Sequence, residues 1–179
     1  MEYSQVQLAT KPQKISNPFT RSLRVVHGTI PQALSSPAWG IDPGVNFGLT
    51  IIEDNKVLVF NGSLMQDAKP GRYGLIANRF LASIIKQFDH LGAFLVIEGA
   101  AYGAPFRQVE LSEIRAGFYL AAALFPFVFA SVEIKPPASI RKAVFNDGKV
   151  QAGDEWPLLN HNGADSLSMA LFAAQMVSE

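Results

Sequence analysis

Three acidic residues of the chain lie where apolar segments meet turns or helix starts. Asp42 and Glu98 each follow a short apolar segment, and Asp165 begins an apolar-faced helix predicted at 164–176. Burying an unpaired carboxylate is costly or forces it to take up a proton, whereas acids at strand ends can lie at the edge of a sheet. Because converging carboxylates repel each other unless cations lie between them, the pattern predicts a site for Mg²⁺ or Mn²⁺.

Each acid also has an ordinary structural interpretation. Asp42 precedes Pro-Gly and suits a turn, Glu98 could pair with Arg107 or Arg115, and Asp165 suits the positive end of its helix. One acid from each of three elements at the same sheet edge is harder to explain in this way. Two ions held about 3.5–4 Å apart by such acids can hydrolyse a phosphodiester, so the three acids are candidate catalytic residues and metal ligands.

The elements that must position these acids follow from apolar periodicity and turn residues. Strands are predicted at 39–42, 46–53, 56–60, 94–98 and 127–134, and helices at 71–88, 110–125, 139–144 (capped by Ser139) and 164–176. A hairpin meander followed by alternating helices and strands indicates an α/β fold, a mixed five-stranded sheet flanked by helices. This is the element order of the ribonuclease H-like fold.

Residues 1–37 are polar and contain a single acid, Glu2, beside four Lys and Arg residues. The segment is predicted to be a basic N-terminal arm or linker that precedes a nuclease domain at 38–179. A solvated linker, a DNA-contacting arm and an organellar transit peptide remain alternatives for it.

Composition limits the remaining possibilities. A chain of 179 residues is about one domain, and it has no cysteine, which excludes disulfides, thiolate zinc sites and a cysteine nucleophile. No apolar run is long enough to span a membrane, so a cytoplasmic protein is expected. The formal net charge of zero counts against a nucleic-acid binder, although acids of an active site can be offset locally by basic residues elsewhere.

Four segments carry a resemblance to a known family. Residues 39–44 (WGIDPG), 94–98 (FLVIE) with 114–117 (IRAG), 135–142 (KPPASIRK) and 163–170 (GADSLSMA) resemble, in this order, motifs of the RuvC-type Holliday junction resolvases. The resemblance spans about residues 38–176. It implies a Mg²⁺-dependent endodeoxyribonuclease that resolves four-way DNA junctions, with two ions per active site, Mn²⁺ as a substitute and no organic cofactor.

The resemblance also implies a nucleoid-associated homodimer. The helix predicted at 110–125 has more apolar residues than one face needs, namely Ile114, Phe118, Tyr119, Leu120 and Leu124. We expect this helix to pack against its two-fold mate, since a two-fold dimer matches a two-fold junction.

Further residues are candidates for DNA contacts. Arg141, Lys142 and Lys149 could contact phosphates, although an ordinary solvated helix face is as good an interpretation. Tyr102, or in second place Phe106, could stack on an unpaired base, or could pack back on the core.

The family's fourth metal ligand has no acidic equivalent here. Asn162 stands at that position and His161 precedes it, and both could point with Asp165 toward the metals if the helix begins early enough. Asn162 is favoured over His161. The missing acid and the neutral charge leave an alternative open, a catalytically weak ribonuclease H-fold module that binds nucleic acid or protein. An actin-like or sugar-kinase phosphotransferase is a third alternative, but it would need two such domains.

Overall fold

The structure, a computed structural model, describes residues 5–65, 72–88, 91–99 and 108–177. Its elements are β1 (Gln7–Leu8), β2 (Gln13–Lys14), β3 (Thr20–Thr29), β4 (Ala38–Asp42), β5 (Asn46–Glu53), β6 (Lys56–Leu64), α1 (Arg72–Ile85), β7 (Ala93–Glu98), α2 (Gln108–Ala123), β8 (Phe129–Lys135), α3 (Pro137–Phe145), α4 (Ala152–Glu155) and α5 (His161–Val177). Within these ranges all strands form one eight-stranded sheet.

The sheet is mixed. Its strand order is β1-β3-β6-β5-β4-β7-β8, and β2 pairs with β3. Strands β4, β5 and β6 form an antiparallel meander, whereas β7 and β8 run parallel to the first strand of that meander. The predicted α/β class is therefore confirmed, and the five predicted strands are β4 to β8.

The prediction of an arm or linker at 1–37 is wrong for residues 20–29, which form a strand of the sheet. Strand β3 pairs with the whole length of β6, and it buries Leu23, Val25 and Val26 in the core. Exposed residues such as Arg24 lie between these apolar side chains, so β3 has a polar composition although four of its ten residues are buried. Residues 20–29 are thus part of the folded domain, and β1 and β2 cover part of their outer edge.

Alternation along β4 divides the core into two layers. Trp39 and Ile41 pack with α1 and α2, whereas Ala38 packs with α5. Gly40 faces α5 as well, and a Cβ atom at this position would overlap the main-chain oxygen of Ser166. Small residues therefore allow α5 to lie directly on the sheet, with its first turns beside the carboxyl end of β4.

Two helices begin earlier than the sequence predicted. Helix α3 begins at Pro137, because the extended backbone of Pro136 and the proline at the first position start it before Ser139. Helix α5 begins at His161 because Asn160 caps it: its Oδ1 accepts a hydrogen bond from the Gly163 N–H at 2.9 Å. The short helix α4 was not predicted. Among the described helices, none has the length and apolar character that crossing a bilayer requires.

Candidate metal centre

The three acids predicted from the sequence converge at one edge of the sheet. Asp42 and Glu98 end the adjacent parallel strands β4 and β7, and Asp165 lies in the second turn of α5. Each contributes a carboxylate oxygen, and these oxygens all lie within 4.8 Å of one another. The topology thus places three hard ligands around a space of the size that a metal ion occupies.

A buried hydroxyl pair fixes the position of α5 beside this cluster. The hydroxyl groups of Thr50 on β5 and Ser166 on α5 lie 2.9 Å apart, and Ser166 also donates to the main-chain oxygen of Gly163 at 3.0 Å. Because Ser166 is the next residue after Asp165, this pair holds the acid at a fixed height above the sheet. Thr50 was not identified from the sequence, since a threonine in an apolar strand has no distinctive pattern.

The environment of the acids opposes their ionisation. Burial raises the pKa of Asp42 well above its ordinary value, and the charges of Glu98 and Asp165 raise it further. Burial, and then the charge of Asp165, raises the pKa of Glu98 to about 7. Burial likewise raises the pKa of Asp165, although His161 and Arg141 oppose this effect. Three ionised carboxylates in such a space need a compensating positive charge, and a divalent cation fits that need.

Two arginines provide part of the positive charge. Nη2 of Arg141 on α3 lies 3.7 Å from Oδ1 of Asp165. Nε of Arg115 on α2 donates to the main-chain oxygen of Glu98 at 2.8 Å, and its charge lowers the pKa values of Asp42 and Glu98. Arg115 was considered from the sequence only as a structural partner of Glu98. Its position as the one basic residue of α2 was a signal of a more specific role.

The two candidates for the fourth ligand have different contacts. Nε2 of His161 lies 3.0 Å from Oδ2 of Asp165, one helical turn away, and the imidazole is largely exposed. The amide nitrogen of Asn162 instead donates to the main-chain oxygen of Asn46 at 2.6 Å. The early start of α5 therefore brings His161 to the carboxylates, whereas the Asn162 nitrogen ties α5 to the start of β5. This geometry favours His161, opposite to the preference drawn from the sequence.

The remaining candidate residues lie farther out. Lys142 and Lys149 are exposed to solvent, and Lys135 forms an ion pair with Glu133 at 2.6 Å. Of the three residues predicted to contact phosphates, the structure brings only Arg141 to the carboxylates. Tyr102, Phe106 and Arg107 lie outside the described residues.

The chain is similar to solved structures, but no match to its sequence was found among family models or curated proteins. A structure of Thermus thermophilus RuvC matches with a TM-score of 0.56 and 20% identity over 78% of this chain and 96% of that one. A structure of the same protein in complex with a Holliday junction substrate matches with a TM-score of 0.53 and 19% identity over 79% and 97% of the two chains. At this level of identity, what the chain shares with RuvC is the ribonuclease H-like fold.

Proposed function

We propose that this protein is a divalent-metal-dependent endonuclease that cuts branched DNA, with four-way junctions as its substrate class. The observation that carries the proposal is the partly buried cluster of Asp42, Glu98 and Asp165, whose ligand oxygens lie within 4.8 Å of one another at the carboxyl edge of the sheet. The fold of T. thermophilus RuvC, which has been described with a Holliday junction substrate, supports the choice of DNA.

Asp42, Glu98 and Asp165 would hold two Mg²⁺ ions, for which Mn²⁺ could substitute. Such ions supply an activated water and stabilise the leaving oxygen in phosphodiester hydrolysis. His161 orients Asp165 through its Nε2. Arg141 and Arg115 offset part of the negative charge of the cluster: Arg141 lies beside the Asp165 carboxylate, and Arg115 holds the main chain of Glu98.

Basic groups beside the cluster would hold the phosphate backbone. Arg141 lies close enough to the carboxylates to contact the phosphate next to the cut, whereas Lys142 and Lys149 are exposed and would contact phosphates farther along the DNA. Tyr102 remains the candidate for stacking on an unpaired base. These assignments rest on position and charge, and substitutions of each residue by glutamine would test them.

A homodimer is the second part of the proposal. Ile114 and Phe118 of α2 are buried within the domain, whereas Tyr119, Leu120 and Leu124 are 41%, 58% and 70% exposed. This apolar surface supports packing of α2 against its mate. Sedimentation should find a dimer, and Leu120→Lys with Leu124→Lys should convert it to a monomer. A monomeric wild type at micromolar concentration, with and without DNA, would remove this part of the proposal.

One observation favours a second candidate, the nucleic-acid-binding module with weak catalysis. The family usually has a fourth acid or a histidine at the position of Asn162, and here the Asn162 amide nitrogen forms a structural hydrogen bond to the main-chain oxygen of Asn46. Three acids with two nearby arginines would then bind metal less tightly than four acids would.

The decisive experiment compares substrates and metals. A synthetic four-way junction, the matching duplex and an RNA–DNA hybrid are incubated with the protein in Mg²⁺, Mn²⁺ or EDTA. Metal-dependent cleavage of the junction, at paired positions and far above that of the duplex, is the expected result. Tight junction binding without cleavage in either metal would favour the binding module, and cleavage of the hybrid alone would replace the proposed substrate.

A further inference from the structure

Charge is distributed unevenly along the chain although its formal sum is zero. Residues 1–37 contain four Lys and Arg residues and one acid, whereas the other 142 residues contain eleven Lys and Arg residues and fourteen acids. A basic N-terminal segment is therefore joined to an acidic body. The overall neutrality says nothing against an anionic ligand at the N-terminal segment.

The four basic side chains of this segment are free to bind a ligand. Lys11, Lys14, Arg21 and Arg24 are all exposed. Within the described part of the chain, none of them forms an ion pair or a side-chain hydrogen bond. No ion pair with a described carboxylate offsets their charges, and each would gain from an anionic partner.

The sheet register connects two of these residues to the carboxylate cluster. Asp42 lies opposite Gly48, Gly48 opposite Asn61, Asn61 opposite Arg24, and Arg24 opposite Lys14. Residues that lie opposite each other on neighbouring strands point to the same face of a sheet. Arg24 and Lys14 therefore continue, on the face that carries α5, the row that begins at Asp42.

Contacts with α5 confirm this assignment of the face. The side chain of Asn61 touches Gly163 in the first turn of α5, and Val26 packs in the cluster that includes α5. Arg24 is two residues from Val26 and so faces the same side. The basic strand pair, as we name β2 and β3 together, thus extends the surface that carries the candidate metal centre.

The sheet edge between the carboxylate cluster and the basic strand pair carries polar, uncharged side chains. Asn46 begins β5 and accepts a hydrogen bond at 2.6 Å from Ser63 on β6, and Ser22 on β3 lies opposite Ser63. None of these positions carries a carboxylate that would repel a phosphate. With strands about 4.8 Å apart, Arg24 and Lys14 lie roughly 14 and 19 Å from Asp42 along the row. At 3.4 Å per base pair, this span reaches about six base pairs from the cut.

We propose that the basic strand pair binds the sugar–phosphate backbone of the DNA arm that leaves the carboxylate cluster, through Arg24 and Lys14. This inference rests on the proposed function, because it takes DNA as the substrate. The match to T. thermophilus RuvC covers 96% of that chain and 78% of this one, so about a fifth of this chain has no counterpart in it.

The first test measures junction affinity in EDTA, where no cleavage occurs, as a function of salt. Arg24→Gln and Lys14→Gln should each lower affinity about eight-fold near 0.1 M salt and reduce the slope of log affinity against log salt by about 0.9, the value for one phosphate contact. The double variant should lose about sixty-fold on the same basis. Arg79→Gln and Lys86→Gln are the matched controls, because these exposed residues belong to the α1 segment on the opposite face.

The second test locates the contact on the DNA. Neutral methylphosphonate linkages are placed one at a time along the arm, within about six nucleotides of the cut. At one or two positions the neutral linkage should weaken wild-type binding and leave Arg24→Gln unaffected. Arg24→Lys, which restores the charge, should recover the affinity.

Each other outcome overturns the inference. Unchanged affinity and salt slope in both glutamine variants, with wild-type cleavage intact, would reject the basic strand pair and leave the proposed function standing. A loss that Arg24→Lys does not recover, or one equalled by Arg79→Gln, would also reject it. Wild-type protein that binds no junction would reject the proposed function as well, and binding of polyglutamate through Arg24 in its place would assign the surface to an acidic protein.

Discussion

The two faces of the sheet differ in how their helices are packed. Against α1 and α2 the contacts are made by large rings: Phe47 and Phe80 have centroids 4.5 Å apart, and Phe118 lies 6.2 Å from Phe47. Against α5 the sheet presents Gly40 and Gly48, and a Cβ atom at either would overlap the main chain of the helix. On the face packed against α1 and α2, which we name the ring face, side chains fill the space between sheet and helix. On the face packed against α5, the glycine face, the backbones of strand and helix are in contact.

We expect changes on the ring face to alter mainly the stability of the fold, and changes on the glycine face to alter mainly the position of α5. Removing or shortening a ring leaves a cavity that nearby side chains can partly fill, and the free energy of unfolding decreases. A backbone contact has no side chain to adjust, so any added atom must move α5 itself. Asp165 lies on that helix, whereas Asp42 and Glu98 lie on the strands beneath it, so the glycine face sets the distances within the cluster.

The largest expected effect is the removal of one acid. Asp42→Asn and Glu98→Gln should each reduce junction cleavage by several orders of magnitude, since a ligand is lost, yet retain junction affinity. Both should also raise the melting temperature of the metal-free protein, because a buried repulsion disappears. Cleavage assays, binding in EDTA and thermal melts measure the three effects. Near-wild-type cleavage by either variant would show that the assignment is wrong.

The next effect tests the comparison of the two faces directly. Gly40→Ala should displace α5, cost about 1–3 kcal/mol of stability and reduce cleavage on the order of 10²-fold, as expected when reacting groups move by about 1 Å. Phe80→Leu, in the fully buried ring cluster, is the matched control. It should lose a similar stability, about 0.5–3 kcal/mol, and keep most of its cleavage. Equal losses of cleavage in the two variants, measured well below their melting temperatures, would contradict the distinction.

A smaller effect concerns pH. In the folded protein the pKa of Glu98 is raised from 4.5 to about 7, and that of Asp42 is also raised. The folded state therefore binds more protons than the unfolded state in this range, and this contribution to stability is present below about pH 4.5 and lost as pH rises through about 7. In EDTA the loss should be on the order of 2 kcal/mol, allowing for partial exposure of Glu98.

Saturating Mg²⁺ should remove this trend, because the cation binds the ionised carboxylates and replaces the protons. Glu98→Gln is the control and should show a weaker dependence on pH between 4.5 and 7 in EDTA. Chemical denaturation at a series of pH values measures both. A pH dependence that is the same with and without Mg²⁺ would show that no cation binds at the acids.

Much of the architecture could be predicted because its signals are local. The five strands from β4 to β8, the helices and the three acids follow from periodicity and from acids at segment ends. The helix starts at Pro137 and His161 were missed because the first residues of both helices lie outside the apolar spacing that predicts a helix. Strand β3 was missed because the polar and basic composition of residues 1–37 outweighed its few apolar residues, and because its partner β6 lies far along the chain.

The site was less predictable than the fold for a physical reason. Convergence of three acids could be inferred from topology, because parallel strands share one edge. Contacts that depend on side-chain direction could not: Arg115 on α2 bonds to the main-chain oxygen of Glu98 instead of its carboxylate, and the Asn162 amide turns to Asn46. His161 and Asn162 precede Asp165 by four and three residues and so both lie on its side of α5, and spacing alone does not decide which of them reaches the carboxylates.

The smallest expected effect decides between these two residues. His161→Ala removes the imidazole that lies 3.0 Å from Asp165, so it should raise the Mg²⁺ concentration for half-maximal cleavage several-fold. Asn162→Asp should lower it several-fold if a carboxylate there completes the family's fourth position. The same change removes the donor to the Asn46 oxygen, which should cost about 1 kcal/mol of stability.

The control for that structural cost is Asn162→Ala, which removes the donor without adding a charge. A metal titration of cleavage in the three variants, with melting temperatures alongside, separates the contributions. If Asn162→Asp leaves the titration unchanged and behaves as Asn162→Ala does, while His161→Ala shifts it, His161 takes the fourth position and Asn162 serves only to join α5 to β5. If His161→Ala has no effect and Asn162→Asp lowers the requirement, the preference drawn from the sequence holds, and the contact of His161 with Asp165 is incidental to metal binding.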